Sequence, residues 1–426
     1  MTDTTAAGEA PIPIAVVGVG KIARDQHLPA IAADADFTLA AAVSRNAAVE
    51  GVPSFADIEA FLAEGPPAAV ALCAPPGPRQ AMALAAIAAG RDVLIEKPPA
   101  ATLGEIEALV AAARARGVTL FAAWHSRFAP AVPAARAWLA GRGATRVRIV
   151  WKEDVRRWHP GQDWIWRPGG FGVFDPGINA LSILTEILPG PFVVEAARIE
   201  TPANRETPIA ARLALRSTGG VAVEAEIDWR QEGPQTWGIA VETDDGGRLE
   251  LGLGGATLRL DGAEAPQGPE REYAGVYRRL AQTERALADY NKAIDLDPTN
   301  ADAYNERGIV YEALDQTEEA LADYSKAIEL DPAEPIYYSN RGAIYKAQDE
   351  YEAAIADYTS AIDLDPSDAA AYNSRGIAYE DLERYEEADE AFLDALESYR
   401  DVSPFPLAWV AFQRGVMWAE MADRPE

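Results

Sequence analysis

The run Asp92-Val-Leu-Ile-Glu-Lys-Pro-Pro99 carries an apolar strand directly into an acid, a lysine and two prolines. The prolines end the strand, so Lys97 is expected at the carboxyl edge of a parallel sheet, where open α/β sheets bind their ligands. A lysine in an ordinary loop after a buried strand would give the same local pattern. The sequence around this run bears on the choice between the two interpretations.

A glycine-rich turn upstream favours a nucleotide site. The β-rich run Ile12–Val17 leads into Gly18-Val-Gly-Lys-Ile-Ala23, which is followed by a helical pattern. This is a G-x-G-x-x-A motif between a strand and a helix, where glycines let backbone N–H groups approach a pyrophosphate. The residues that we expect to bind a dinucleotide cofactor at this turn are Gly18, Gly20, Lys21 and Ile22.

Strands and helices alternate over the first part of the chain. Further strands are predicted at 37–43, 68–73, 92–95 and 118–123, with alanine-rich helical patterns between them. This alternation predicts a parallel, doubly wound sheet, and residues 1–126 are assigned to an α/β Rossmann domain. Pro75 and Pro76 end the third strand, where they either line the cofactor crevice or simply form a loop.

The end of the second strand bears on the choice between NAD and NADP. NAD-specific sites place an acidic residue about 20 residues after the glycines, whereas an arginine suits the 2′-phosphate of NADP. The corresponding positions here hold Ser44 and Arg45, so we expect NADP to be preferred and NAD to be tolerated. An exposed arginine that merely follows a strand is the alternative interpretation.

A different pattern begins at Arg127. Alternating runs between Arg146 and Leu253 predict an antiparallel sheet, and residues 127–280 are assigned to an α+β substrate domain. An apolar helix is predicted to open near Asp175, which would place Asp175 and Asn179 on one helix face. An aspartate at such a position is also commonly only an N-cap.

Length, cysteine content and histidine spacing limit the class of protein. A chain of 426 residues predicts two or three domains, and 49% hydrophobic residues are ample for their cores. Cys73 is the only cysteine, and no uncharged apolar run reaches the roughly 20 residues of a membrane span, so a cytoplasmic protein is expected. The three histidines lie far apart, and we expect no metal.

Charge is distributed unevenly along the chain. The net charge is −29, and the part from Ala281 onward holds 11 basic and 34 acidic residues against 27 and 33 before it. Two unlike segments are therefore joined. Neither has a basic stripe, so we expect no nucleic-acid binding. Because no apolar run is long enough to span a membrane, we expect no membrane partner either.

The second segment is periodic. Leu-Asp-Pro recurs with Asp at 297, 331 and 365, and Arg-Gly recurs with Gly at 308, 342 and 376, a period of 34 residues. Paired helices with this spacing resemble tetratricopeptide repeats (TPRs), so residues 281–426 are assigned to an all-α TPR solenoid. Three repeats are nearly complete, and 406–421 is predicted to form the first helix of another.

The resemblance to these repeats implies a peptide or protein partner. Such arrays usually bind through polar residues of their first helices, although the same residues also serve packing and solvation. The candidates in this chain are Asn305, Asn340, Arg341, Asn373 and Arg375.

Three motifs of the first segment carry a second resemblance. The glycine turn, the Glu96-Lys97-Pro98 strand end and the Asp175-x-Gly177-x-Asn179 helix start resemble the Gfo/Idh/MocA oxidoreductases, over about residues 11–280. Within this family the pattern is similar to aldose 1-dehydrogenases that act on L-arabinose or D-galactose. The resemblance implies NAD(P)-dependent oxidation of an aldopyranose at C1 to the lactone.

The same resemblance implies roles for individual side chains. Many family members have histidine where this chain has Asn179, so the base is expected to be Lys97 or Asp175. Lys97 is expected to touch the anomeric hydroxyl, while Asp175 tunes or relays the proton. Glu96, Lys97 and His125 are expected on the cofactor side. The residues expected to hold the sugar are Glu153, His159 and Asn179, with Trp151, Trp158 and Trp237 as aromatic platforms or, equally, as packing residues.

The joint between the segments raises a further expectation. Family members continue past residue 280 into a closing helix that packs on the nucleotide domain, whereas here the repeats open at once with a helix predicted at Glu284–Leu296. Unless that helix substitutes for the missing one, apolar surface is left uncovered and activity is reduced. The alternative function is a TPR scaffold whose dehydrogenase-like domain is inactive or weakly active.

Overall fold

The computed structural model describes residues 10–398, apart from 168–169, 189–191, 218–219, 267, 269–271 and 315. The chain divides into two compact units that meet between Gln282 and Thr283. Over the described ranges, no helix combines the length and apolarity that crossing a membrane requires. The helix predicted at 406–421 lies outside the described residues.

The first unit begins with a parallel six-stranded sheet. Its strands are β1 (Ile12–Val17), β2 (Phe37–Val43), β3 (Ser54–Phe55), β4 (Ala69–Leu72), β5 (Val93–Glu96) and β6 (Leu120–Ala123). The order is β3-β2-β1-β4-β5-β6, and every pair is parallel. The strand order reverses between β1 and β4, which makes a crevice at their carboxyl ends.

Helices connect these strands. They are a π-helical turn (Ala23–His27), α1 (Leu28–Ala33), α2 (Ile58–Glu64), α3 (Pro76–Ala88) and α4 (Leu103–Arg116), followed by a 3₁₀ turn at His125–Phe128. A capping box formed by Thr102 and Glu105 starts α4, and Gly117 ends it with a left-handed φ of 61°. Sequence patterns did not predict the short elements β3 and α2.

A second, eight-stranded sheet follows. Its strands are β7 (Ala144–Lys152), β8 (Phe192–Glu200), β9 (Ala210–Ser217), β10 (Ala222–Asp228), β11 (Thr236–Thr243), β12 (Arg248–Gly252), β13 (Thr257–Leu260) and β14 (Ala263–Glu264). The order is β14-β13-β12-β11-β7-β10-β9-β8. The helical elements of this part are α5 (Val132–Leu139), α6 (Val155–Trp158), α7 (Phe174–Ile187) and 3₁₀ turns at Asp163–Trp166 and Leu253–Gly255.

The second sheet is mixed, whereas the sequence predicted an antiparallel one. Strand β7 pairs in parallel with β10. Helices connect β7 to β8. Strands β8, β9 and β10 then form an antiparallel meander, and its last strand, β10, lies beside β7 and runs in the same direction. One face of the sheet shares a buried core with α5 and α7, which includes Val132, Ile149 and Ile183.

Paired helices make up the second unit, and the first of them, α8, begins within the first unit. The helices from here to the end of the described chain are α8 (Glu272–Leu296), α9 (Ala301–Ala313), α10 (Thr317–Leu330), α11 (Pro335–Ala347), α12 (Tyr351–Leu364), α13 (Ala369–Asp381) and α14 (Tyr385–Ser398). The small residue at Gly308 is required by close packing, since an added Cβ would lie 2.7 Å from the Tyr324 ring. Gly376 meets Phe392 in the same way at 2.6 Å.

Helix α8 starts 12 residues before the helix that the sequence predicted at Glu284. Its early residues Tyr273, Val276 and Tyr277 are buried in one cluster with Ile14 of β1. The rings of Tyr277 and Phe37 meet edge to face at 5.1 Å. The start of α8 therefore covers apolar surface of the nucleotide-binding sheet, which removes the specific reason for expecting reduced activity.

Candidate active site

The glycine turn forms an open cradle at the carboxyl end of β1. Gly18 has a left-handed φ of 89°, and a Cβ there would lie 2.8 Å from the backbone nitrogen of Ala74, so only glycine fits. At Gly20 an added Cβ would meet nothing within 4 Å. This open space next to the strand crossover is what a dinucleotide pyrophosphate needs, and the residues present fit such a cofactor.

The other predicted cofactor residues lie around this crevice. Ile22 occupies the N-cap position of the π-helical turn. Lys21 is exposed, and its amine contacts the Asp25 carboxylate. The Ser44 N–H is used by the sheet, where it donates to the Phe55 carbonyl at 2.9 Å. Arg45 follows β2 and is exposed. Pro75 and Pro76 follow β4, where Pro75 is exposed and Pro76 is buried and begins α3.

Lys97 and Asp175, the two predicted catalytic residues, lie together. The Lys97 amine donates to the Asp175 backbone carbonyl at 3.0 Å and lies 3.6 Å from its carboxylate Oδ2. The N-cap of α7 is Val173, so Asp175 sits inside the first helical turn and does not act as the cap. One turn later, Asn179 is partly buried on the same helix.

His159 approaches the same carboxylate from another side. Its Nε2 lies 3.6 Å from Oδ2 of Asp175. Burial lowers the pKa of His159, and the nearby charge of Asp175 only partly offsets this effect. The imidazole is therefore neutral at pH 7 and can both donate and accept a hydrogen bond.

Glu153 lies just beyond β7 and is bound by two indoles. Its carboxylate accepts hydrogen bonds from Nε1 of Trp229 at 3.1 Å and of Trp237 at 2.9 Å. Burial raises the pKa of Glu153 from 4.5 to about 6 although the indole donors lower it, and the charge of Asp175 adds to the rise. The sequence did not single out Trp229, because a tryptophan at a strand end is usually a packing residue.

The three predicted aromatic platforms differ in exposure. Trp158 is 40% exposed and its ring lies 5.2 Å from that of Trp237. Trp151 is only 4% exposed and stacks behind Trp237 at 6.1 Å. Trp151 is thus a core residue in this structure, whereas Trp158 is exposed and the half-buried Trp237 donates to Glu153.

Glu96 points into the protein. One carboxylate oxygen accepts from His27 Nε2 at 2.9 Å and from the Tyr273 hydroxyl at 2.5 Å, and the other accepts from the Lys97 N–H at 3.0 Å. Burial acts to raise the pKa of Glu96, but His27 and Tyr273 outweigh it and lower the pKa to about 2. His27 is fully buried and also bonds the Tyr277 hydroxyl at 2.8 Å.

Arg79, which lies near the start of α3, has a role that no sequence pattern indicated. Its buried guanidinium donates to the Ala74 carbonyl at 2.6 and 3.0 Å, to the Glu96 carbonyl at 2.5 Å, and to the Pro98 carbonyl. The Lys97–Pro98 peptide between these acceptors is cis. Arg79 therefore ties the end of β4 to the residues on either side of Lys97.

His125 lies just after β6. Its Nδ1 is 2.6 Å from the Glu272 carboxylate, and its ring stacks on Tyr273 with centroids 5.2 Å apart. Both contacts come from the first turn of α8. The predicted cofactor-side residues Glu96 and His125 thus share one neighbour.

The Lys97 amine and the neutral His159 imidazole therefore each lie 3.6 Å from the Asp175 carboxylate. A second carboxylate, that of Glu153, has a pKa raised to about 6. Such a set can withdraw a proton from a hydroxyl and hold several others. Over the described ranges, no group of histidine, cysteine or acidic side chains has the arrangement of a metal site.

Comparison with known proteins identifies the family of the first unit. Residues 12–124 match the Gfo/Idh/MocA model of an oxidoreductase family with an NAD-binding Rossmann fold. Galactose 1-dehydrogenase from Pseudomonas fluorescens is 44% identical over 289 residues, which cover 68% of this chain and 92% of that protein. The chain belongs to the Gfo/Idh/MocA oxidoreductase family. The predicted family and enzyme class are thereby confirmed.

Solved structures give the same result for this Gfo/Idh/MocA oxidoreductase. The crystal structure of D-galactose-1-dehydrogenase from Rhizobium etli is 53% identical, with a TM-score of 0.63 over 66% of this chain and 90% of that one. The WlbA dehydrogenase from Bordetella pertussis, solved with NADH and UDP-GlcNAcA, is 23% identical with a TM-score of 0.57 and shows the fold alone.

The rest of the chain matches a different family. Tetratricopeptide repeat models match residues 276–315, 301–333, 342–383 and 369–402. The predicted fold class, a Rossmann domain and a second sheet domain followed by TPR helices, is confirmed. The oxidoreductase is thus followed by repeats of a type that is common in protein interaction.

Proposed function

We propose that the first unit oxidises an aldopyranose, D-galactose or L-arabinose, at C1 to the lactone with NAD(P). The observation that carries this proposal is the meeting of Lys97, Asp175 and His159 beside the indole-bound Glu153. The names of the two galactose dehydrogenases support the choice of substrate class. L-Arabinose is included because the sequence motifs resemble the subgroup that accepts both sugars.

In the proposed reaction, the anomeric O1–H bond and the C1–H bond break while C1=O forms. The Lys97 amine contacts the anomeric hydroxyl. Asp175, 3.6 Å from that amine, tunes or relays the transfer of the proton that leaves the hydroxyl. When bound, the nicotinamide of NAD(P) accepts the hydride. Gly18, Gly20 and the end of β5 hold that cofactor, and Arg79 keeps the strand end in place.

The remaining hydroxyls of the sugar are assigned to three side chains. Glu153 accepts hydrogen bonds in its charged form, the neutral His159 donates or accepts, and the amide of Asn179 does both. Trp158 and Trp237 provide the apolar face against which the C–H groups of a pyranose pack.

We further propose that NADP is preferred over NAD. Ser44 and the exposed Arg45 follow β2, where a 2′-phosphate of the ribose would lie. An Arg45→Ala variant should lose about tenfold in kcat/KM for NADP and change little for NAD, because one charge-assisted hydrogen bond is removed. Equal losses with both cofactors would contradict the preference.

Initial rates of NADPH formation at 340 nm, with D-galactose and with L-arabinose, test the main proposal. Lys97→Ala and Asp175→Asn should each lower kcat by about 1,000-fold, since proton transfer from the hydroxyl is impaired. The matched control is Lys326→Ala in the repeats, where the amine pairs with Glu329. The proposal fails if the Lys97 variant keeps more than about a tenth of the wild-type rate.

A second proposed function, binding of a peptide or protein by the second unit, rests on the repeat family to which its helices are matched. Several polar residues that the sequence assigned to ligand contact are bonded within the array. Asn340 donates to Asn305 at 2.9 Å, and the Arg341 guanidinium donates two hydrogen bonds to the Asp357 carboxylate, both at 2.8 Å. Intact NADPH binding without turnover of either sugar would favour this interaction function over the enzyme.

A further inference from the structure

The first turn of α8 reaches back to the end of β5, 177 residues earlier in the chain. There the Tyr273 hydroxyl donates to Oε1 of Glu96 at 2.5 Å. The same ring stacks on His125, whose Nδ1 lies 2.6 Å from Glu272. With 6% of its surface exposed, Tyr273 is a buried contact between α8 and the residues that flank Lys97.

Glu96 fixes the backbone of Lys97. Its Oε2 accepts the Lys97 N–H at 3.0 Å, while its Oε1 is held by Tyr273 and His27. Hydrogen bonds to both oxygens restrain rotation of the carboxylate, and this restrains the direction of the Lys97 N–H. On the other side, Arg79 fixes the carbonyls of Glu96 and Pro98.

We propose that Tyr273 is a positioning residue for Lys97, which acts through its hydroxyl on the Glu96 carboxylate. This inference rests on the proposed function, since Lys97 is the group proposed to contact the anomeric hydroxyl. It assigns to α8, the helix that continues into the repeat unit, a part in the active site.

The hydroxyl, and not the ring, carries this role. Packing of α8 against the sheet needs only the apolar ring, which a phenylalanine would supply equally well. A buried hydroxyl is costly unless it is hydrogen-bonded, and this one is bonded to a charged group. Loss of the hydroxyl leaves Oε1 with one donor, and the carboxylate gains the freedom to turn away from the Lys97 N–H.

The test compares Tyr273→Phe with a matched control. Tyr337 in α11 is also buried and donates its hydroxyl to a carboxylate, Oδ1 of Asp302, at 2.6 Å, but it lies in the second unit. Tyr337→Phe therefore makes the same chemical change away from Lys97. Both variants are measured by steady-state kinetics with D-galactose and by hydrogen–deuterium exchange of the peptide Val93–Lys97.

We expect Tyr273→Phe to lower kcat about tenfold and to leave KM for the sugar within about twofold, while Tyr337→Phe changes neither. The amides of β5 are held by the sheet, so faster exchange in this peptide should come from Lys97 alone. We expect it to rise at least about fivefold in Tyr273→Phe only.

Several results would overturn the inference. An unchanged kcat, an unchanged exchange rate, or faster exchange across the whole first unit would show that the hydroxyl is dispensable or merely stabilises the fold. If the wild-type protein oxidises neither sugar, the proposed function fails. The local exchange rate at Lys97 then still decides whether Tyr273 positions that residue.

Discussion

Glu96 and Glu153 are two buried glutamates at strand ends of the same unit, and their pKa values are shifted in opposite directions. Each is 4% exposed, yet the pKa of Glu96 is lowered to about 2 and that of Glu153 is raised to about 6. Burial raises the pKa of both. The difference must therefore come from their partners.

One partner of Glu96, His27, carries charge, whereas both hydrogen-bond partners of Glu153 are neutral. Glu96 faces His27, whose pKa is raised because Cys73 and Glu96 outweigh the effect of burial. Glu153 faces two neutral indole N–H groups and feels the negative charge of Asp175. A cation makes the first carboxylate part of the scaffold, whereas neutral donors leave the second ready to exchange a proton or bind a hydroxyl.

Removal of the Glu96 charge should have the largest effect. Glu96→Gln leaves His27 buried without its counter-charge, and we expect the free energy of unfolding to fall by about 3 kcal/mol. Urea unfolding followed by tryptophan fluorescence measures this, because eight of the ten tryptophans precede Gln282. Glu153→Gln, the matched control, should change stability by less than about 1 kcal/mol, since it removes a charge whose burial is itself unfavourable.

The pH dependence of this difference gives a further check. The folded pKa of Glu96 lies below the unfolded value of 4.5, so its stabilisation is present above pH 4.5 and is lost as the pH falls towards 2. The gap between wild type and Glu96→Gln should therefore shrink below pH 4.5. A gap that stays constant down to pH 3 would show that packing, not charge, is responsible.

Activity should respond instead to Glu153. Because its pKa is about 6, we expect kcat/KM for D-galactose to fall by about tenfold for each pH unit below 6, as the carboxylate becomes protonated. In Glu153→Gln this fall of kcat/KM at low pH, the acid limb of the profile, should be absent. Its kcat/KM at pH 8 should be lower than that of the wild type. An unchanged limb in the variant would assign it to another group.

The smallest effect should follow from the indole donors. Trp229→Phe removes one hydrogen bond that lowers the pKa of Glu153, so the acid limb should move up by about half a pH unit. Trp166→Phe is the control, because Trp166 packs edge to face on Trp229 at 5.3 Å. A shift of equal size in both variants would point to packing of the aromatic cluster.

Residues that local patterns place at the end of an element were predictable. Lys97 follows a strand that prolines end, and Asp175 follows glycines that open a helix, so each position could be deduced within a few residues of sequence. Their closeness came from the motif resemblance, and the structure places them 3.6 Å apart. The 34-residue period likewise gave the repeat helices, since each repeats the same local signals.

Residues that act through distant partners were not predictable. Tyr273 meets Glu96 from 177 positions away, and Trp229 meets Glu153 from 76. Periodicity shows which face a residue occupies but not which partner it meets across a core. Arg79 in a first helical turn looks like a solvated residue, and only the fold turns it inward towards three carbonyl groups.

The arginines of the repeats form a series with consequences for how the array unfolds. Arg307 bonds Asn291 and Asp323, and Arg341 bonds Ser325 and Asp357, each sixteen residues behind and ahead. Arg375 reaches Thr359 behind it at 3.4 Å, but the nearest carboxylate ahead, Asp394, lies at 4.0 Å. A stacked array gains its cooperativity from links between neighbouring repeats, and the contact of Arg375 with Thr359 of α12 is longer than those of Arg307 with Asn291 and of Arg341 with Ser325. We therefore expect α13 and α14 to separate from the array before the preceding repeats unfold.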